Sequence, residues 1–292
     1  MPKTLFQQLP PGPYQLDAHH HLQLDTAETI AEQADRAFFT LLPRQQILQV
    51  AGEEAATFLQ GQLTCDLGEI DGYYASLGAH CSPKGRMIAS FRIARTADEC
   101  YSLALPASAL PLLVTALNKY IVFSKAQVSI APLACLALCG DEAAAVADTL
   151  ADGLPELAGG QYDFDGGSLL CIDPAGARYE LWIQQARLPD IWAQLDGSLE
   201  VADSRAWDLQ QIRAGIAMVE DTTSDRFIPQ MFNYDELKAI SFSKGCYTGQ
   251  EVVARAHYRG AVKRHLHRFS QPTALPPAAG IAIAGDDARE LG

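Results

Sequence analysis

Long apolar runs are missing from this chain of 292 residues: no stretch approaches the roughly 18 consecutive apolar residues that suggest a membrane helix. Residues 1–17 are rich in proline and glutamine and lack the apolar centre of a secretory signal, so a cytoplasmic protein with no direct membrane contact is expected. Paired cysteines are missing as well. The seven cysteines are odd in number and irregularly spaced, with no C-x-x-C pair, which excludes a disulfide framework and leaves free thiols. Cys135 and Cys139 fall in an apolar run, 133–139, that reads as a buried strand, where thiols pack like small hydrophobes. His19, His20 and His21 point in different directions on any helix or strand, so a solvated triplet is expected and no metal site.

Positive charge is the third scarcity. With 22 basic against 35 acidic residues the net charge is −13, which argues against attraction of nucleic acid across the whole surface, and direct nucleic-acid binding is not expected. The basic charge that exists is locally gathered: Lys244, Arg255, Arg259, Lys263, Arg264 and Arg268 share one short stretch with a single acid, Glu251. Such a surplus could receive an anionic ligand, or could pair with acids elsewhere in the chain.

Alternating and helical patterns divide the chain into a lead-in over 1–43, a first α+β domain over 44–131, a second over 132–262 and a short tail over 263–292. The lead-in contains an amphipathic stretch, 27–39, that reads as helical. Strands are expected at 45–51, 73–80, 86–95, 100–105 and 127–130, with helices beginning after Gly52 and at 110–120. The second domain repeats the order, with strands at 133–138, 168–172 and 179–183 and helices at 141–150, 188–195 and 204–215. Residues 218–241 read as a long loop, a type of segment that commonly carries function, and strands are expected again at 264–270 and 280–284.

The most informative run is Lys244-Gly245-Cys246-Tyr247-Thr248-Gly249-Gln250-Glu251. Two glycines bracket a cysteine, so the backbone can turn tightly and leave the thiol uncrowded. In an extended chain Lys244 and Cys246 share a face, and a nearby ammonium favours thiolate over thiol. Spacing alone also fits a structural cysteine in a glycine turn.

Together with Ala256-His257-Tyr258-Arg259-Gly260, this run resembles the signature of the YgfZ family of folate-binding proteins. Further segments agree with the family pattern: Phe58-Leu59-Gln60-Gly61-Gln62-Leu63-Thr64-Cys65-Asp66, His80-Cys81-Ser82-Pro83-Lys84-Gly85-Arg86-Met87, Lys119-Tyr120-Ile121-Val122-Phe123-Ser124-Lys125 and Phe227-Ile228-Pro229-Gln230. The resemblance implies an α+β, aminomethyltransferase-like fold. It has two ferredoxin-like domains and a C-terminal β-barrel, here cut short at residue 292, around a central folate channel. It implies tetrahydrofolate or a one-carbon derivative as cofactor. The implied role is as an accessory factor for iron–sulfur enzymes, including the tRNA thiomethyltransferases of tRNA modification. Cys246 carries the family's activity, with Lys244 beside it. Trp207 carries over as a folate contact, and Tyr247, Gly249, Gln250, Glu251, Arg255, Tyr258 and Arg259 as further cofactor-binding residues.

Departures from the pattern limit the chemistry. The related aminomethyltransferase uses an acid about where residues 82–92 lie, and that run contains no Asp or Glu. Arg213 stands where the transferase has a folate-binding glutamate. One-carbon transfer of the glycine-cleavage type is therefore not expected, for want of a proton-handling carboxylate, unless the fold brings in Asp66 or Asp71. The alternatives are such a folate-dependent one-carbon transferase, or a scaffold that binds partners without catalysis.

Overall fold

The computed structural model describes residues 2–155, 157–173, 177–260 and 262–270. The chain opens with a short helix, α1 (Pro2–Phe6), a hairpin of β1 (Tyr14–Leu16) and β2 (Leu22–Leu24), a helix α2 (Ile30–Ala34) and a strand β3 (Phe38–Leu41). The amphipathic stretch 27–39 is thus only partly helical. Thr29 and Glu32 cap α2 reciprocally, but Phe38 and Phe39 are fully buried in a sheet, where aromatic side chains pack well.

The first unit holds β4 (Gln45–Ala51), α3 (Ala55–Gln60), β5 (Ser76–Cys81), β6 (Met87–Ala97), β7 (Cys100–Pro106), α4 (Leu110–Asn118) and β8 (Gln127–Ile130). Its antiparallel sheet has the order β5-β6-β7-β4-β8. On α4, Leu110, Leu113 and Leu117 recur at helical spacing and face the core, and Pro111 sits in the first turn where its missing N–H costs nothing.

The second unit holds β9 (Leu133–Cys139), α5 (Ala143–Ala151), β10 (Gln161–Phe164), β11 (Gly167–Cys171), β12 (Arg178–Gln184), α6 (Leu188–Asp196), β13 (Glu200–Val201) and α7 (Ser204–Arg213). Its sheet order is β10-β11-β12-β9-β3-β13. The lead-in is therefore not a separate segment: β3 pairs antiparallel with β9 and parallel with β13, inside the second sheet. A last helix, α8 (Gln250–Arg259), follows the long loop. The strand expected at 264–270 forms no regular element, and most of the expected partial barrel, including 280–284, lies outside the described residues.

Both faces of β9 are buried, which explains its unbroken apolar run. Ala134, Leu136 and Leu138 face α5 and α6, while Cys135, Ala137 and Cys139 face the first unit. The facing side of the first sheet is equally small, with Ala94 and Ala104, and the two sheets pack together there around Phe38, Trp182 and Trp207. One buried ion pair crosses this layer, Arg92 Nε to Glu180 Oε2 at 3.5 Å, and Trp182 donates to the same carboxylate at 3.2 Å. The long loop and α8 cover the outer part of the first sheet through Val219, Phe232, Tyr234, Ile240 and Val253.

Candidate functional site

Four of the five sequence segments that resemble the family pattern meet in space around the glycine-flanked cysteine. Ser241 N donates to Thr64 O at 2.8 Å, and Thr64 Oγ1 returns a bond to Ala239 O at 2.7 Å. Thr248 N donates to Gly61 O at 3.2 Å. Met87 N donates to Phe227 O at 2.8 Å, and the Gln230 side chain donates to Val253 O at 2.7 Å within α8. Gly249 has φ +84°, and a Cβ there would lie 2.5 Å from the Ser82 carbonyl oxygen, so only glycine fits this approach. Gly85, at φ +70°, leaves the room that Val252 fills.

Within this junction Lys244 and Cys246 do opposite things. Cys246 is exposed, whereas the other six cysteines are buried. Burial pushes the Cys65 and Cys81 thiols up to about 12. Lys244 is itself buried, and its Nζ donates to Leu63 O at 2.9 Å and Cys65 O at 2.7 Å, with the Tyr247 ring 5.3 Å away. Desolvation lowers its pKa to about 8, against the opposing pull of Cys65 and Asp66. Two of the three donors of the Lys244 ammonium thus go to carbonyls of the first unit, and the side chain ties the loop to that unit. Gly249 caps α8 in the left-handed conformation, Gln250 and Glu251 form its first turn, and Tyr247 is buried. Arg255, Tyr258 and Arg259 line an open cleft of about 570 Å3 on α8.

Trp207 belongs to a different place. It is buried on α7 and forms part of the wall of a cavity of about 630 Å3. The ends of β4 and β7 contribute Gln45 and Pro106, the turn after β7 contributes Ser108, and the chain after α7 contributes Ile216, Met218 and Glu220. Trp207 Nε1 is buried with no hydrogen-bond partner among the described residues, a state that costs about 1–3 kcal/mol unless an acceptor is supplied. Arg178 lies over the same ring at 6.0 Å.

Sequence reasoning missed the charged rim of this cavity. Arg44 donates to Glu220 at 2.7 Å and lies 3.9 Å from Asp208. His21, expected to be solvated, is held by Asp17 at 3.1 Å, with its Nε2 between Arg44 Nη1 at 3.0 Å and Asp208 Oδ2 at 3.6 Å. Its pKa is raised, chiefly by the bond to Asp208 and against desolvation. A signal existed, since Asp208 follows Trp207 directly. Pairing across 187 residues has no such trace. Arg255, Tyr258 and Arg259, expected to share a cofactor with Trp207, do not line its cavity. Asp66 and Asp71 do not line it either. Arg213 is engaged with Asp35 at 2.7 Å.

No helix among the described residues is long and apolar enough to cross a membrane, and none of their His, Cys, Asp and Glu side chains form a group of three that could hold a metal. No family model matches the chain. A solved structure, the glycine cleavage system aminomethyltransferase T from Bartonella henselae, superposes with a TM-score of 0.76 over 99% of this chain and 83% of that one, at 15% identity. The fold is thus that of the aminomethyltransferases. Two curated relatives named tRNA-modifying protein YgfZ are nearer in sequence. The one from Klebsiella pneumoniae (strain 342) is 34% identical over 247 residues, 83% of this chain and 75% of the relative. The one from Sodalis glossinidius (strain morsitans) is 33% identical over 250 residues, 84% and 76% of the two chains. The chain belongs to the YgfZ family.

Proposed function

We propose that this protein binds a reduced folate, tetrahydrofolate or a one-carbon derivative, in the Trp207 cavity. In this reading it serves tRNA modification as an accessory factor for iron–sulfur enzymes such as tRNA thiomethyltransferases, with Cys246 as the working thiol. The observation that carries the reading is a cavity of about 630 Å3 beside Trp207, with Asp208, Glu220 and Arg44 at its rim. That volume suits a small organic cofactor. Asp208 and Glu220 add acceptors at the rim for ring N–H groups, and Arg44 adds a donor. A bound reduced folate would supply a carrier for a one-carbon unit.

An accessory role is favoured over one-carbon transfer by the strand that lacks the acid. Residues 82–92 carry no carboxylate, and Arg92 in that run is buried against Glu180 of the second unit. Asp208 and Glu220 are already engaged by Arg44 and His21, so neither stands as a free base. A single thiol cannot hold an iron–sulfur cluster, which usually takes four protein ligands, so any cluster at Cys246 draws its other ligands from a partner. The test is complementation of cells lacking the native protein. The wild-type chain should restore tRNA thiomethylation, and Cys246→Ala and Trp207→Ala should both fail. Full rescue by Cys246→Ala removes the thiol from the function.

A further inference from the structure

Most arginines in the chain outside residues 255–268, Arg44, Arg178 and Arg205 among them, hold a carboxylate. The basic residues of α8 and the chain after it do not: no ion pair joins Arg255, Arg259, Lys263 or Arg264 to a carboxylate among the described residues, and all four are exposed. In a chain of net charge −13, cations outnumber acids in that stretch, where Glu251 is the single acid. Aromatic side chains lie beside them. Phe242 stacks on His257 at 3.8 Å and 16°, and Tyr258 stands edge-on to both, at 6.0 Å and 4.7 Å. The Tyr258 ring is thereby braced, yet it remains 66% exposed.

Arg255 and Tyr258 are three residues apart and share one helical face, and with Arg259, Ala254 and the acid Glu251 they line an open space of about 570 Å3. An aromatic face and two guanidinium groups in one recess match the two halves of a nucleotide, a base that stacks and phosphates that pair. An acidic peptide would use the cations and leave the ring idle. A lipid surface would need a flat apolar face, which this recess is not. A duplex keeps its bases stacked inside, so the recess fits unpaired nucleotides. We propose that the Arg255–Tyr258–Arg259 cleft binds single-stranded or loop RNA, the base on Tyr258 and the flanking phosphates on the arginines. The net charge forbids a broad electrostatic surface for RNA but permits this local one. Because α8 begins four residues after Cys246, RNA lying along the helix passes the thiol end of it.

The experiment is fluorescence-anisotropy titration of the full chain with an unmodified tRNA transcript at several salt concentrations. Saturable binding is expected, weakening as salt rises. Arg255→Gln with Arg259→Gln should weaken it at least about tenfold and lower the salt slope by about 1.4, roughly 0.7 for each lost contact to a single-strand phosphate. Tyr258→Ala should weaken it roughly tenfold with the salt slope unchanged, and Tyr258→Phe should restore it. The side chains are exposed, so thermal melting of each variant should match the wild type and reduced-folate titration should be unaffected. The proposal is overturned by absence of saturable transcript binding at low salt. Wild-type affinity in the double arginine variant would overturn it too, as would displacement of the transcript by oligo-γ-glutamate at equal charge concentration.

Discussion

The Trp207 cavity and the Lys244–Glu251 loop are built by different means, and the difference separates holding a ligand from presenting a thiol. The cavity is a gap left between two packed units, walled by side chains far apart in sequence and rimmed by ion pairs among Arg44, Asp208, Glu220 and His21. The loop is a close backbone junction, fixed by glycines and by a buried lysine, with the Cys246 side chain left exposed. Substitutions in the cavity should therefore change binding, and substitutions in the loop should change stability, except at Cys246.

The largest stability effect should come from Gly249→Ala. It meets a backbone oxygen at 2.5 Å in a left-handed conformation, and should cost about 3 kcal/mol in urea unfolding. If Gly249→Ala is neutral, the loop is not the rigid junction described. Lys244→Met comes next. It leaves two buried carbonyls unpartnered, and a loss of about 2 kcal/mol is expected. This variant also carries a pH signature. The folded Lys244 has a pKa of about 8, below its unfolded value, so between the two the unfolded chain binds more protons. The stability advantage of wild type over Lys244→Met should therefore grow as pH rises from about 8 to about 10.5. An advantage that shrinks over that range would mean that the ammonium is not desolvated. Smallest is Cys246→Ala, expected within about 0.5 kcal/mol of wild type because the side chain is exposed. Brief alkylation of the native protein should likewise mark Cys246 and spare the six buried cysteines, read by mass spectrometry.

The same contrast explains what was legible in the sequence. The loop could be read because its parts are contiguous: Gly245, Cys246 and Gly249 announce a turn with an open thiol. What could not be read was the direction of Lys244, because its partners Leu63 and Cys65 lie about 180 residues away. Residues two apart share a face only in an extended strand, and this segment is not one. The strands of the first sheet were visible in their alternation and β9 in its apolar run, but β10 and β13 were not read. The role of β3 was hidden, since a four-residue strand after a helix-like pattern carries little local signal and joins its sheet only through tertiary pairing. The cavity rim was hidden for the same reason, being assembled from the lead-in, the first unit and α7.

Calorimetric titration with tetrahydrofolate, run in parallel on the wild type, Trp207→Phe and Cys246→Ala, tests the separation of the two regions most directly. Wild type and Cys246→Ala should bind saturably with equal affinity. Trp207→Phe, which replaces the indole beside the cavity with a smaller ring, should bind about tenfold more weakly, as when a pocket contact is lost. Loss of binding in Cys246→Ala, or unchanged binding in Trp207→Phe, would contradict the account.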